Sequence, residues 1–136
     1  MELSDEVYEH MAFDGQPHQS VARFPTLKQQ SIIVSSFGKT VHTTGWKIGY
    51  VAAPEYLMKE FRKVHQFLVF AVNHPFQLAL ADFLSQKENY LELKNFYQQK
   101  RDLFRKHIGS SRFKIEPCTG TYFQLLNYSN LTQEED

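Results

Sequence analysis

Apolar residues along this chain follow two different spacings, one typical of strands and the other typical of helices. Short β-branched runs bounded by turn-forming residues predict strands at Ser31–Phe37 and Lys47–Ala53. Glu2–Ser4 is expected to be the end of an earlier strand, followed by an acidic turn at Asp5–Glu6. The segment between the two later strands is therefore expected to be a loop that carries Lys39.

Three helices are predicted after the strands. A helical period in the apolar residues indicates the first helix over Glu55–Val72. Pro75 suits the first turn of the second helix, which is expected to end at about Ser85. The third helix is expected to cover Glu88–Ile108. Gly109 is expected to end the third helix. The apolar stripes are Leu57, Phe61, Val64 and Leu68 in the first helix and Leu93, Tyr97, Phe104 and Ile108 in the third.

A β-hairpin is predicted near the end of the sequence. Its strands would be Phe113–Glu116 and Thr121–Leu126, joined by the turn Pro117–Gly120, in which Gly120 would supply a positive φ. The order of strands, helices and hairpin indicates an α/β or α+β fold. The Lys39 loop lies at strand ends, where functional sites are commonly built.

Composition narrows the class of protein. Lysine plus arginine and aspartate plus glutamate number 15 each, so no net charge attracts nucleic acid or an anionic membrane. The single Cys118, the absence of a signal-peptide pattern and the short apolar run at Phe67–Val72 predict a soluble, cytoplasmic protein. The 12 Phe and 7 Tyr exceed what a core of this size encloses, so self-association is expected.

The spacing of residues argues against two common kinds of site, a nucleotide-binding P-loop and a metal site. Gly38-Lys39-Thr40 resembles the end of a nucleotide-binding P-loop, but that motif requires a glycine where this chain has Ile33. The six histidines form no HxH or HExxH pattern, and one cysteine cannot build a thiolate cluster, so no metal site is expected.

The lysine loop and the acidic turn together indicate a different chemistry. Asp5 and Tyr8 offer a carboxylate and a phenol, Ser36 a hydroxyl, Lys39 an amine and Lys47 a second cation. Pyridoxal phosphate requires partners for its ring nitrogen, phenolate, aldehyde and phosphate, and these five groups match that set.

Three segments carry a resemblance to a known family. SDEVYEH, SSFGKTVHTTGWKIGYVAAP and RKVHQFLVFAVNHPFQLALADFL resemble the class I and II pyridoxal-phosphate aminotransferases of fold type I. The likeness is greatest to the bacterial methionine aminotransferases and the kynurenine and glutamine transaminases. The pattern S-x-x-K-x-x-x-x-x-G-W-[RK]-x-G is its most specific part.

The resemblance assigns a role to each candidate residue. Lys39 would form the Schiff base with the cofactor and move the substrate proton, and Asp5 would pair with the ring nitrogen. Tyr8 would hydrogen-bond the phenolate, while Ser36 and Lys47 would hold the phosphate. Most relatives have arginine at the position of Lys47. Lysine keeps the positive charge but cannot bind two phosphate oxygens at once as arginine does. The resemblance also suggests that Gly45 and Gly49 allow close backbone approach and that Trp46 serves packing.

The resemblance also divides the chain. Residues 1–87 would be the C-terminal part of the large cofactor-binding domain, and 88–136 the interdomain helix with the start of the small domain. The chain matches only a middle piece of such an enzyme, without the upstream phosphate loop, the ring-stacking aromatic residue or the arginine that grips the substrate carboxylate. A homodimer completes the site in this family.

The function implied is transfer of an amino group from a large apolar or aromatic amino acid, such as methionine, to a 2-oxo acid. The chain alone is expected to be inactive or weakly active. Two alternatives remain open: a carbon–sulfur β-lyase that uses the same cofactor, and an inactive remnant that self-associates.

Overall fold

A computed structural model describes residues 1–132 and 134. The chain forms two compact units, one comprising residues 1–9 and 19–91 and the other comprising 10–18 and the described residues from 92 onward. The predicted range 88–136 includes positions 133, 135 and 136, which lie outside the described part. None of the helices in the described part is long and apolar enough to span a membrane.

The first unit contains a three-stranded sheet in the order β1-β2-β3. These strands are β1 (Glu2–Asp5), β2 (Ser31–Ser36) and β3 (Gly49–Ala52). β1 is parallel to β2, with Asp5 opposite Val34, and β3 is antiparallel to β2, with Gly49 opposite Ser36. The predicted strands are thus confirmed, although β3 begins two residues after Lys47 because a 3-10 turn at Thr44–Trp46 precedes it.

The connection from β1 to β2 contains helical turns that the periodicity did not predict. A 3-10 turn at Val21–Arg23 is capped by Ser20, whose side chain accepts a hydrogen bond from the Ala22 amide, and α1 (Pro25–Lys28) follows. Both turns are too short to show a helical period, but Ser20 and Pro25 are typical residues for the start of such turns.

The predicted helices are present with altered ends. A one-turn helix, α2 (Phe37–Thr40), lies in the lysine loop, and it is followed by α3 (Glu55–Leu68) and α4 (His74–Leu84). α3 ends before the predicted Val72 because Phe70 adopts a left-handed conformation with φ of 62°. The Asn73 side chain then caps α4 by accepting from the Phe76 amide.

The third predicted helix is divided into two. α5 (Glu88–Leu91) belongs to the first unit and α6 (Leu93–Ile108) to the second, with Glu92 between them. Gly109 follows α6 as expected, but it remains right-handed with φ of −61°. The prediction that this helix ends at Gly109 is therefore confirmed, although the glycine does not adopt the left-handed conformation that is common at such positions.

The second unit contains a shorter β-pair than predicted. β4 (Lys114–Ile115) pairs in antiparallel fashion with β5 (Leu126–Asn127). Gly120 does not have the positive φ expected of it, and Thr121 has φ of 71° instead. The prediction of a tight turn was wrong because Gly120 instead forms a β-bridge with Ala12. A Cβ on Gly120 would lie 2.8 Å from the Met11 carbonyl oxygen.

Residues 10–18 contribute two buried side chains to the core of the second unit, which also includes Leu93. Met11 and Phe13 are each 1% exposed. The buried Arg101 guanidinium donates to both Asp14 oxygens at 2.6 Å and to the Cys118 carbonyl at 2.7 Å, and it lies 5.0 Å from the centre of the Phe13 ring. The hydrogen bond from Arg101 lowers the pKa of Asp14. An Asp-Gly turn places these groups, since Asp14 and Gly15 have φ of 58° and 71°.

The first unit leaves much apolar surface uncovered. Ile48 and Leu80 are its buried hydrophobic side chains among the described residues. Phe67 is 85% exposed and Phe70 is 91% exposed, at the end of α3 and just beyond it. Apolar patches of this kind in soluble proteins commonly mark contact surfaces.

We predict that the 136-residue chain self-associates through this patch. Light scattering should give a mass above 16.0 kDa, and replacing Phe67 and Phe70 by serine should lower it, because burial of the two rings drives association. Replacing Lys59 and Arg62, on the same helix, by serine serves as the control. A monodisperse particle of 16.0 kDa would contradict the prediction.

A second prediction concerns Gly49, which lies against β2. A Cβ at Gly49 would lie 2.2 Å from the Ser35 carbonyl oxygen, whereas a Cβ at Gly45 would meet nothing within 4 Å in the part of the chain that the structure describes. Gly49→Ala should lower the free energy of unfolding by roughly 2–4 kcal/mol, and Gly45→Ala should change it by less than about 0.5 kcal/mol. Urea denaturation measures both, and equal losses in the two variants would show the close approach to be unimportant.

Candidate functional site

Three of the five candidate residues lie at, or two residues from, the ends of strands in the first unit. Asp5 is the last residue of β1 and Ser36 the last of β2, while Lys47 comes two residues before β3. The carboxyl ends of parallel strands meet at one edge of a sheet, and ligands of α/β proteins bind outside that edge. The antiparallel β3 starts at the same edge, because Gly49 lies opposite Ser36.

Asp5 and Ser36 also share a face of the sheet. Asp5 is in register with Val34, and side chains two residues apart on a strand point to the same side. Ser36, two residues after Val34, therefore projects to the side on which Asp5 projects. The two candidates lie on one face at one edge, separated by less than the length of a strand.

Lys39 is held on the one-turn helix α2 that directly follows β2. The Ser36 hydroxyl caps this turn by accepting a hydrogen bond from the Gly38 amide at 3.1 Å. Gly38 is required there, since a Cβ would lie 2.9 Å from the Cα of Thr44. The Thr44 hydroxyl donates to the Gly38 carbonyl at 3.0 Å, which closes the loop. The predicted lysine loop is thus a compact turn.

The return of this loop contains two residues in left-handed conformations. Lys47 has φ of 55° and His42 has φ of 58°, and neither is glycine. Such conformations each cost about 1–2 kcal/mol and are common at functional sites. The loop is nevertheless fixed, because the Phe37 amide donates to the Ile48 carbonyl at 3.1 Å and Trp46 stacks on Phe76 with ring centres 4.3 Å apart. The expected packing role of Trp46 is confirmed.

Tyr8 lies in the turn that follows β1. Two short-range hydrogen bonds fix the turn: the Val7 amide donates to the Asp5 carboxylate at 3.2 Å, and the Glu9 amide donates to the Glu6 carbonyl at 3.0 Å. Tyr8 is half-buried and Asp5 is exposed. The turn therefore follows directly from the strand end that carries Asp5.

Sequence reasoning overlooked two carboxylates in this turn. Glu6 is 6% exposed, and its Oε1 accepts from the Ser4 hydroxyl at 3.1 Å and from the Val21 amide at 3.0 Å. Glu9 Oε1 accepts from the Tyr50 hydroxyl at 2.5 Å and from the Ser35 hydroxyl at 3.1 Å. The signal was a run of three carboxylates around Tyr8, although only the fold shows their partners.

Burial and the Glu9 hydrogen bond together raise the pKa of Tyr50 to about 12. Both effects favour the neutral phenol, because burial penalises a phenolate and the carboxylate accepts its proton in a hydrogen bond. Tyr50 therefore remains a hydrogen-bond donor throughout the physiological pH range.

The groups at this edge fit pyridoxal phosphate chemically. They comprise a carboxylate, a phenol, a primary amine, a hydroxyl and an ammonium, which suit a pyridinium, a phenolate, an aldehyde and a phosphate. The Thr43 hydroxyl, in the same loop, is buried and has no hydrogen-bond partner among the described residues. The described residues bring no three potential metal ligands together.

The sequence of the chain matches a known family of enzymes. The sequence model described as "Aminotransferase class I and II" matches residues 1–135, so the chain belongs to this family. Enzymes of the family use pyridoxal phosphate. The predicted family and the predicted α/β fold of type I are confirmed.

Particular relatives are similar over almost the whole chain. The methionine aminotransferase of Escherichia coli (strain K12) is 53% identical over 135 residues, which cover 98% of this chain and 35% of the relative. The kynurenine–oxoglutarate transaminase of Dictyostelium discoideum is 35% identical over 137 residues, covering 98% and 32%. The chain thus spans about one third of these relatives' length.

Solved structures agree with the sequence matches. YbdL from Escherichia coli, a methionine aminotransferase, superposes with a TM-score of 0.93 at 52% identity, covering 98% of this chain and 36% of that chain. The N-succinyldiaminopimelate aminotransferase of Mycobacterium tuberculosis superposes with a TM-score of 0.88 at 32% identity, covering 95% and 34%.

We predict that Tyr50 makes stability depend on pH in the alkaline range. A raised pKa in the folded state means that its contribution is complete below about pH 10, the pKa of the unfolded phenol, and is lost towards about pH 12. Urea denaturation between pH 9 and 12 should show this loss in the wild type. Tyr50→Phe should lack that component, whereas Tyr56→Phe should retain it; equal profiles in all three proteins would refute the assignment.

Proposed function

We propose that this chain is the central part of a pyridoxal-phosphate aminotransferase that moves an amino group from a large apolar or aromatic amino acid, such as methionine, to a 2-oxo acid. The observation that carries the proposal is the position of Asp5, Ser36, Lys39 and Lys47 at one sheet edge. The 53% identity to a methionine aminotransferase supports the choice of substrate.

The roles proposed for the residues follow from their chemistry. Pyridoxal phosphate, when bound, supplies an electron sink for bond cleavage at the substrate Cα. The Lys39 amine would hold the cofactor through its aldehyde and would take the proton from the substrate Cα. Asp5 keeps the ring nitrogen protonated, because a carboxylate beside it favours the charged form. Tyr8 donates a hydrogen bond to the cofactor phenolate.

Ser36 and Lys47 are proposed to hold the phosphate. Ser36 lies at the end of β2, and its hydroxyl already accepts a hydrogen bond from the first turn of α2, so its own proton can be donated elsewhere. Lys47 provides a full positive charge, but it lacks the planar fork with which arginine binds two phosphate oxygens. We expect phosphate affinity to depend more on salt than it would with arginine.

The remaining assignments are also proposals. We assign residues 1–87 to the large cofactor-binding domain and 88–136 to the interdomain helix and the start of the small domain. We further propose a homodimer, since Phe67 and Phe70 are exposed, and a cytoplasmic location, since the one cysteine is free.

A non-catalytic remnant that self-associates is the second candidate. The exposed apolar side chains at the end of α3 favour it, because they could be buried between copies of the chain, and such association requires no catalytic activity. It differs from the first proposal in requiring no covalent bond at Lys39.

We predict that pyridoxal phosphate followed by borohydride labels Lys39 in the full-length protein that carries this chain. Peptide mass mapping locates the adduct. Lys39→Ala should abolish the label and lower amino transfer by roughly 10²–10⁴-fold or more, since one residue anchors the cofactor and moves the proton. Lys59→Ala, at an exposed lysine on α3, is the control and should change neither.

The products distinguish the remaining alternatives. Amino transfer converts the amino acid to its 2-oxo acid only when a 2-oxo acceptor is present. Release of a thiol without an acceptor would assign a β-lyase, and a full-length protein that is never labelled at Lys39 would favour the remnant.

A further inference from the structure

The Glu9 carboxylate connects three separate pieces of the first unit. Glu9 lies in the turn after β1, and its Oε1 accepts hydrogen bonds from Ser35 on β2 and from Tyr50 on β3. Ser35 and Tyr50 face each other across the antiparallel pair, so both hydroxyls approach from one side of the sheet. One oxygen thus links the turn to both neighbouring strands.

The turn that Glu9 ends is the one that carries Tyr8. The Glu6 amide donates to the Val34 carbonyl at 2.8 Å, and the Ser35 hydroxyl lies 3.4 Å from the Glu6 carbonyl. Tyr8 is therefore flanked by an anchored residue on each side, Glu6 by its backbone and Glu9 by its side chain. Only Val7 and Tyr8 lie between these two anchored residues.

The same cluster contacts the lysine turn. The Tyr50 ring packs against Phe37, with ring centres 5.6 Å apart, and Phe37 is the first residue of the helix α2 that bears Lys39. A hydrogen bond from Tyr50 to Glu9 therefore ties the Tyr8 turn to the start of the lysine turn through one side chain.

We infer that Glu9 is a positioning residue for the cofactor site: with Tyr50 and Ser35 it holds the Tyr8 hydroxyl where it can donate to the cofactor phenolate. The inference rests on the proposed function. It assigns Glu9 no contact with the cofactor and no proton to transfer. Its effect passes through Tyr8, which makes it separable from a general effect on stability.

Charge and donor chemistry agree with this role. A carboxylate that accepts two hydroxyl hydrogen bonds makes stronger bonds than a neutral acceptor would. Tyr50 stays protonated, because burial and the Glu9 hydrogen bond raise its pKa to about 12, so the bond persists across the working pH range of an enzyme.

The test measures the pKa of the bound cofactor's visible absorbance in the full-length protein. A hydrogen bond donated to the phenolate lowers this pKa, so Tyr8→Phe should raise it by about one unit or more. Tyr50→Phe, which keeps the ring, and Glu9→Gln, which keeps the size, should each raise it by roughly 0.5 unit. In the Tyr8→Phe background, the same two substitutions should shift it by less than about 0.2 unit.

Tyr56→Phe is the matched control. The Tyr56 hydroxyl donates to the Gln29 carbonyl at 2.9 Å in the same unit, so the control removes one tyrosine hydrogen bond away from the turn. It should leave the absorbance pKa unchanged.

Each outcome has one meaning. Unchanged absorbance pKa values in Tyr50→Phe and Glu9→Gln, or equal shifts with and without Tyr8, would overturn the positioning role while leaving the aminotransferase proposal intact. A wild-type protein with no cofactor absorbance and no label on Lys39 would overturn both proposals. If Glu9→Gln does not fold, Tyr50→Phe alone decides, since it removes a single hydroxyl.

Discussion

The parallel register of β1 and β2 is the constraint on which the candidate site depends. Because Asp5 lies opposite Val34, the end of β1 falls two residues short of Ser36, on the same face of the sheet. A shift of one residue would turn Asp5 to the other face, since side chains alternate along a strand. The end of β1, which carries Asp5, and both ends of the β2–β3 connection, which carries Lys39 and Lys47, therefore lie at one edge.

Close backbone contacts keep that edge narrow. Gly49 lies against the Ser35 carbonyl and Gly38 lies against Thr44. The absence of a Cβ at these two positions allows the lysine turn to pack closely between β2 and β3. The left-handed conformations of His42 and Lys47 are the cost of this compactness. The expected close approach at Gly49 is confirmed for the neighbouring strand, whereas a Cβ added to Gly45 would meet no atom of the described residues within 4 Å.

The second unit depends on a single buried cation. Arg101 holds Asp14 and the Cys118 carbonyl, and so it joins the Asp-Gly turn, α6 and the loop before β5. Arg101 also pairs with Asp102 at 2.8 Å, so two carboxylates compensate the charge of this buried guanidinium, and loss of the Asp14 pair would leave it only partly compensated. Residues 10–18 thereby enter the second unit, immediately after the turn that carries Tyr8.

The sequence by itself determined the family, the chemical groups and the regular elements, because periodicity and a specific lysine motif are local properties. It placed β2, α3 and α4 nearly correctly, but it missed the break at Glu92 and the true partner of Gly120. Only the tertiary structure decided that Glu9 meets Tyr50 and that Asp14 meets Arg101, pairs separated by 41 and 87 positions. Such pairs form only when the chain folds and distant segments pack together. The local spacing of residues within one helix or strand does not predict them.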